Sequence, residues 1–200
     1  YVDRLNQLPL AIFGIAIGIV LLPSLSKTIK NNDQEEIQIT QNRSIEFCLL
    51  ISLPSAVGLY FLSEPIIYIL FERGAFLSND TLYTANVLSL FALGLPAYIL
   101  IKVLVTCYFA REDTKTPLYI SIVSVVVNII LSLFFIQFMR EMGIALATAI
   151  SAWLNVLLLY FILKMRDNIV LDVRLINNGI KTIICSIVMG CVCYFLNLTF

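Results

Sequence analysis

The chain begins with the polar stretch Asp3-Arg4-Leu5-Asn6-Gln7-Leu8-Pro9, and an apolar run from Leu10 to Leu25, broken only by small residues and Pro23, follows it directly. A run of this kind is long enough to cross a bilayer as a helix, which takes about 17 to 25 mostly apolar residues. Ionisable groups beside such a helix are costly unless they face a water-filled cavity, a partner charge or the membrane interface. The stretch therefore predicts a membrane-spanning helix whose charged end has a specific role.

The composition indicates an integral membrane protein. The chain has 60% hydrophobic and 13% charged residues and a mean hydropathy of +0.95, whereas an ordinary soluble domain has about 25% charged residues. The formal net charge is zero, and a nucleic-acid partner would call for a basic stripe that is missing here. Because residue 1 is Tyr and the last apolar run reaches the C-terminus, we expect a fragment of a larger protein.

Neither a catalytic site nor a metal site is indicated by the residue types. All five cysteines fall within apolar runs, where free Cys behaves as a small hydrophobe. The sequence contains no His, so it offers no common zinc set and no Ser-His or Cys-His pair, and its acids are scattered among the loops. We therefore expect a transporter rather than an enzyme, with no metal and no cofactor.

Six segments of the sequence are apolar enough to span a membrane, and polar connectors separate them. The fold class is thus predicted to be all-α, a polytopic transmembrane helical bundle of about six spans. The predicted spans are residues 5–26, 45–63, 85–110, 117–138, 143–163 and 179–200, and the connectors are residues 27–44, 64–84, 111–116, 139–142 and 164–178.

The distribution of Lys and Arg predicts the orientation of the bundle, since cytoplasmic loops are enriched in these residues. The connectors on one side carry Lys27, Lys30, Arg43, Arg111, Lys115, Lys164, Arg166, Arg174 and Lys181, whereas the other side carries Arg4, Arg73 and Arg140. The first side is therefore predicted to be cytoplasmic, and Tyr1 is predicted to lie at the outer face.

The outer connector at 64–84 is predicted to contain a short interfacial helix over Pro65 to Phe71. Ser63 or Glu64 would cap it, with Pro65 at the first position, where a missing N–H costs nothing. The cluster Ser78, Asn79 and Asp80 would cap the next span.

Prolines interrupt three of the predicted spans, at Pro23, Pro54 and Pro96, and Gly58 and Gly94 lie close to two of them. Proline removes a donor from the helix ladder and kinks the helix, and bending motions concentrate at a few such positions. We predict that Pro54, Gly58, Gly94 and Pro96 act as hinges.

Three charged residues are candidates for binding a ligand. Arg4 could contact an anion in a cavity, since a guanidinium matches phosphate oxygens bidentately, and Asp3 could hold it in place; the alternative is an idle interfacial pair. Lys102 could also face the cavity, together with Thr106 one turn on, or it could reach the cytoplasmic interface. Asn128 and Asn155 are expected to form hydrogen bonds between helices.

Several blocks of the sequence resemble, in order across residues 1–165, the MurJ/MviN family of lipid II flippases in the MOP exporter superfamily. They are Asp3-Arg4-Leu5-x-Gln7-Leu8-Pro9, Leu21-Leu22-Pro23-x-Leu25-Ser26, Leu53-Pro54-Ser55-Ala56-Val57-Gly58-Leu59, Glu64-Pro65-Ile66, Phe71-Glu72-Arg73-Gly74-Ala75-Phe76, Leu93-Gly94-Leu95-Pro96-Ala97, Lys102-Val103-Leu104, Tyr108-Phe109-Ala110-Arg111, Asp113-Thr114-Lys115-Thr116-Pro117 and Ser151-Ala152-Trp153-Leu154-Asn155. One departure is Val105-Thr106, where relatives usually have Ala-Pro.

The resemblance implies a fourteen-helix protein of which this chain covers about the eighth to thirteenth helices. Residues 1–163 would then form five transmembrane spans of the C-terminal lobe, residues 164–178 a cytoplasmic linker, and residues 179–200 an additional transmembrane helix, truncated at the C-terminus. It implies that Arg4, with Asp3, contributes to a central cavity that binds the pyrophosphate of lipid II, and that the groove for the lipid tail uses the additional helix.

The function implied by the resemblance is alternating-access transport of lipid II, an undecaprenyl-pyrophosphate-linked muropeptide, across the bacterial inner membrane for peptidoglycan synthesis. The expected partners are lipid II and membrane lipids, with no nucleic acid, and the expected state is monomeric. The alternatives are a related MOP-type exporter of other lipid-linked glycans or drugs, and a membrane scaffold without transport activity.

Overall fold

The protein is described by a computed structural model, which covers residues 5, 7, 15–31, 33–73 and 76–199. Within that part of the chain lie seven α-helices: α1 (Ile15–Lys30), α2 (Gln34–Phe61), α3 (Ser63–Phe71), α4 (Ser78–Phe109), α5 (Lys115–Met139), α6 (Glu141–Met165) and α7 (Val173–Thr199). Five of these, all but α1 and α3, are long and apolar enough to cross a membrane. The predicted all-α transmembrane bundle is confirmed, while the count of six spans stays a prediction.

The helices are longer than the predicted spans, because polar turns extend them beyond the apolar segments. The connector predicted at 27–44 is wrong in extent: α1 continues to Lys30 and α2 already begins at Gln34. Asp33 Oδ1 accepts a hydrogen bond from the Glu36 amide at 3.1 Å, and a carboxylate at this position caps a helix. Similarly, α7 begins at Val173, inside the segment predicted to be a linker.

The short helix predicted in the outer connector is confirmed as α3, but its predicted cap is wrong. The cap position is Leu62, which makes no side-chain cap hydrogen bond, and Ser63 and Glu64 lie within the helix. The next helix, α4, follows the prediction more closely. Asp80 Oδ2 accepts a hydrogen bond from the Leu77 amide at 3.0 Å, so Asp80 helps to close the first turn of α4.

Small residues allow α6 to pack closely between α4 and α5, which hardly touch each other. Ala145 and Ala147 of α6 are fully buried. A Cβ atom added to Gly143 would lie 2.6 Å from the backbone of Phe135 on α5, so only glycine permits this approach. Without large side chains between them, helix backbones come close enough for dispersion contacts, the main attraction between helices in lipid.

Helix α7 packs along α2, and α2 also packs against α4. A Cβ atom at Gly190 of α7 would lie 2.7 Å from the Phe61 ring and 2.8 Å from Val57, both on α2. The bundle therefore has two sides that share α4 and α2 in the middle: α6 and α5 on one side, and α7 on the other. Large apolar side chains cover the outward surfaces of α5 and α7, as expected of surfaces that face lipid.

Candidate functional site

The two residues of the predicted anion site, Asp3 and Arg4, lie outside the described residues. The next residue, Leu5, is helical and packs against a small cluster formed by Ile67 of α3 with Ala85 and Leu88 of α4. This cluster lies at the end of the bundle that carries the interfacial helix. Leu5 is therefore placed at the predicted outer end.

Lys102 lies on α4, six residues beyond Pro96, and its side chain is exposed. Among the described residues its ammonium group has no ion-pair or hydrogen-bond partner. Thr106 does not share its exposure: it is buried, and its hydroxyl donates to the Lys102 carbonyl at 2.7 Å within the same helix. Lys102 is thus a single exposed cation on a mostly buried helix.

The first predicted hinge, at Pro54 and Gly58, lies on a loosely packed part of α2. Pro54 is half-buried and borders a cleft of about 410 Å³ between α2 and α7. A Cβ atom at Gly58 would meet only the Met189 methyl group, at 3.9 Å, which is ordinary van der Waals contact. Helix α2 continues through both residues, so the proline does not end it.

The second predicted hinge, at Gly94 and Pro96, lies in the centre of the bundle. Both residues are buried, and a Cβ atom at Gly94 would lie 2.7 Å from the Tyr98 hydroxyl oxygen of the same helix. The indole Nε1 of Trp153 on α6 donates a hydrogen bond to the Leu93 carbonyl at 3.0 Å. The turn before Pro96 is thus both packed and bonded to a neighbouring helix.

A cleft of about 400 Å³, lined by apolar side chains together with several Ser, Thr and Asn side chains, lies where α4, α5 and α6 meet. Asn128 Nδ2 donates to Ser151 Oγ at 2.9 Å, from α5 to α6, which confirms the interhelical bond expected of Asn128. For Asn155 the expectation is not confirmed, because its buried Oδ1 has no hydrogen-bond partner among the described residues, and the same is true of Ser124 Oγ.

A buried cluster at the predicted cytoplasmic end centres on Arg111, which follows α4. Its guanidinium donates to the carbonyls of Cys107 at 2.9 Å and Asn168 at 3.0 Å. With its amide oriented to satisfy its neighbours, the fully buried Gln41 accepts from Arg111 at 3.0 Å and donates to the Asn168 carbonyl at 3.1 Å. Burial lowers the pKa of the Arg111 guanidinium, because the charged group loses contact with water. The carbonyl and amide oxygens around it take the place of that water as hydrogen-bond acceptors.

The connector between α6 and α7 is bonded to α2 next to this cluster. Asn42 Nδ2 donates to the Val170 carbonyl at 2.8 Å, and Arg43 Nη2 pairs with Asp172 at 2.9 Å. Arg43 also pairs with Glu46, which accepts a hydrogen bond from Asn178 of α7. Side chains of α2 therefore fix the position in which α7 begins.

The loop between α4 and α5 is bonded to the end of α6 through Asp113. Its carboxylate accepts hydrogen bonds from the Thr116 amide at 3.1 Å and the Thr116 hydroxyl at 2.7 Å, and it pairs with Arg166 at 2.6 Å. These bonds, with that of the Thr116 hydroxyl as the largest cause, lower the pKa of the Asp113 carboxyl to about 2.

Comparison with known proteins places this arrangement in a family. The family model described as Lipid II flippase MurJ matches residues 1–200. The chain belongs to the MurJ lipid II flippase family. This assignment confirms the resemblance carried by the ordered blocks of the sequence.

Individual MurJ relatives are similar over most of the chain. A probable lipid II flippase MurJ of Rhizobium tropici is 44% identical over 197 residues, which are 98% of this chain and 37% of the relative. One from Rickettsia prowazekii (strain Madrid E) is 46% identical over 160 residues, which are 80% of this chain and 32% of the relative. The chain thus spans less than two fifths of the length of these MurJ relatives.

A solved MurJ structure has the same fold. The structure described as lipid II flippase MurJ, inward closed conformation, is 34% identical and aligns with a TM-score of 0.85, over 98% of this chain and 40% of that one. The described helices are thus arranged as part of a MurJ bundle, and the chain is a membrane protein.

Proposed function

We propose that the full-length protein to which this chain belongs transports lipid II across the bacterial inner membrane by alternating access, as a monomer, to supply peptidoglycan synthesis. The observation that carries the proposal is the match of the whole chain to the MurJ family, together with its MurJ-like fold. The present chain contributes part of the second lobe. No bond is made or broken in this process.

The chemistry of the substrate explains why such a protein needs charge inside the membrane. The head group of lipid II is large, polar and anionic, and moving it through hydrocarbon without compensation is prohibitively costly. A wet, cationic cavity lowers this cost while the lipid tail stays in the bilayer. We propose that Arg4 contacts the pyrophosphate and that Asp3 orients the Arg4 guanidinium.

Lys102 is the second proposed contact for the head group. Its ammonium group is exposed on a largely buried helix and has no partner among the described residues, which supports a role in binding an anionic ligand. The alternative is an ammonium group that reaches the cytoplasmic interface. Reaction of a Lys102→Cys variant with membrane-impermeant thiol reagents, applied from each side, separates a cavity position from an interfacial one, with Lys164→Cys as the cytoplasmic reference.

Replacement of Arg4 tests the proposed function. In cells depleted of their native flippase, full-length protein with Arg4→Glu should fail to sustain growth although it inserts into the membrane. Arg73→Glu is the matched control, because Arg73 is exposed and lies at the same predicted outer end; this variant should sustain growth. Growth supported by Arg4→Glu would refute the cavity assignment, and failure of the unaltered protein to support growth would refute the proposed function itself.

A further inference from the structure

The turn of α4 before Pro96 contains one backbone carbonyl, that of Ala92, that cannot have its usual donor within the helix. Proline has no N–H group, so the Ala92 carbonyl, four residues earlier, loses its usual donor, and the proline ring also clashes with that carbonyl. A carbonyl left without a donor inside a membrane costs free energy, and neighbouring helices commonly supply the missing donor. In this protein Trp153 of α6 donates a hydrogen bond to the adjacent carbonyl of the same turn, that of Leu93, at 3.0 Å.

The position of Trp153 indicates that its N–H group matters as much as its bulk. The side chain is 38% exposed, so it does not simply fill the core. It is the single tryptophan of the sequence, and its indole reaches across to the interrupted turn of another helix. In that turn Leu93 is 47% exposed, whereas Ala92 and Ala97 are fully buried, so the backbone is tightly packed on its inner side.

A second bond joins the same two helices beyond Pro96. The buried Tyr108 of α4 donates its hydroxyl to the Leu159 carbonyl of α6 at 2.8 Å. Side chains on a helix lean toward its N-terminus by about one turn, so the two bonds attach near Leu93 and Leu104 on α4 and near Ala149 and Leu159 on α6. The two separations along the helices are similar, about 16.5 Å on α4 and about 15 Å on α6.

We propose that Trp153 is a positioning residue that holds the Pro96 turn against α6, so that α4 and α6 move as one rigid pair and α2 bends at Pro54 during transport. This proposal rests on the proposed transport function and assigns different roles to the two predicted hinges. At Pro54 the local hydrogen bond is internal to α2, from the Ser55 hydroxyl to the Ile51 carbonyl at 2.8 Å. An open cleft borders the same turn, which leaves room for bending.

Distances between spin labels on either side of each proline test the proposal in the full-length protein in lipid nanodiscs. Cysteines replacing Tyr83 and Phe109 flank Pro96, and cysteines replacing Ile39 and Tyr60 flank Pro54; all four native side chains are exposed. The exposed native cysteines are first changed to serine. With Trp153 in place, adding lipid II should shift the distance between the labels that flank Pro54 and leave the distance between the labels that flank Pro96 unchanged.

Variants then test the role of Trp153 without any substrate. Trp153→Phe keeps an aromatic ring but removes the hydrogen-bond donor. Loss of one hydrogen bond should increase about fivefold the fraction of molecules with the less common distance between the labels that flank Pro96, which corresponds to ~1 kcal/mol. Tyr108→Phe should act in the same direction. Phe161→Leu, which changes an exposed aromatic side chain on the same helix, should have no effect.

Three results would overturn the proposal. The positioning role of Trp153 is refuted if Trp153→Phe leaves the distribution of distances across Pro96 unchanged. It is also refuted if lipid II shifts the distance across Pro96 as much as the distance across Pro54. The bending step at Pro54 is refuted if lipid II leaves both pairs unchanged while the protein still transports it. Absence of lipid II transport by the unaltered protein would instead contradict the proposed function. The distance distributions across Pro96 measured without lipid II would still test the positioning role of Trp153.

Discussion

The turns around Pro54 and Pro96 have nearly the same sequence character and very different surroundings. Each proline lies inside a long helix that continues through it, and each has a glycine within four residues. Pro96 is buried, and its turn accepts a hydrogen bond from Trp153. Pro54 is half-buried and borders a cleft between α2 and α7.

The difference shows that a proline and a glycine supply the possibility of bending, and that packing decides whether bending occurs. A kink removes one hydrogen bond from the helix, but the cost of moving the kink depends on the neighbours that must move with it. At Pro96 these neighbours include a bonded helix and fully buried alanines. At Pro54 they include open space, so the same local sequence has a lower barrier to motion.

The largest expected effect comes from adding bulk beside each proline. Ala97 is fully buried, with 0% of its surface accessible, so Ala97→Leu should destabilise the full-length protein by about 1–3 kcal/mol through overpacking. Ser55→Leu, beside Pro54, should change stability by about 0.5 kcal/mol or less, since that turn is half-buried. Thermal unfolding in detergent measures both.

The comparison between the two turns fails if the two leucine variants unfold at the same temperature. A destabilised Ser55→Leu protein would show that the cleft closes on α2 in the full-length protein. In that case α2 would be held as firmly as α4.

The two glycines give a smaller effect of opposite sign. Gly58→Ala should stabilise α2 by about 0.5–1 kcal/mol, because alanine favours a helix and its Cβ atom would meet only Met189 at 3.9 Å. Gly94→Ala should give no gain, because the new Cβ atom would lie 2.7 Å from the Tyr98 hydroxyl oxygen and the Tyr98 ring would have to move. Thermal unfolding again distinguishes the two outcomes.

The same pair of variants also tests where bending occurs. If α2 bends during transport, stiffening it with Gly58→Ala should slow lipid II transport in proteoliposomes although the protein is more stable. Equal stabilisation by the two alanines would contradict the packing difference. An unchanged transport rate in Gly58→Ala would contradict bending at this turn.

The sequence predicted the features that depend on local composition. Apolar runs gave the membrane helices, and Pro65 with its neighbours gave the interfacial helix α3. Prolines and glycines marked both turns. Helix ends were less predictable, because a polar turn such as Gln34-Glu35-Glu36 is compatible with either a helix or a loop until Asp33 is seen to cap it.

The contacts between distant positions could not be predicted from the sequence. Trp153 binds Leu93, and Arg111 joins Gln41 and Asn168, but no periodicity connects these positions, which depend on how the helices are packed. The Asp113-Thr-Lys-Thr-Pro block was a signal for the family, and its pairing with Arg166 became visible only in the structure. The proposed roles of Arg4 and Asp3 rest on the resemblance, and that of Lys102 on its exposed ammonium group.

The smallest expected effect concerns the last bond on the rigid side of the comparison, between Asp113 and Arg166. Asp113→Asn removes the charge of the carboxylate that accepts hydrogen bonds from Thr116 and Arg166, and should destabilise the protein by about 0.5 kcal/mol near neutral pH. The pKa of this carboxyl is lowered from 3.8 to about 2 in the folded protein. The charged form therefore stabilises the folded state fully above the unfolded pKa, and this stabilisation is lost as the pH falls toward the folded pKa.

The unaltered protein should accordingly lose more stability than Asp113→Asn when the pH is lowered from about 5 to about 3. Asp167→Asn is a suitable control, since Asp167 is exposed, lies next to Arg166 and has no ion pair among the described residues; its pH profile should match that of the unaltered protein. The distances across Pro54 should be the same in Asp113→Asn as in the unaltered protein, because Asp113 joins α4 to α6 and not to α2. A shift in those distances would mean that the two sides of the bundle are coupled, and the assignment of rigidity to one and bending to the other would then be wrong.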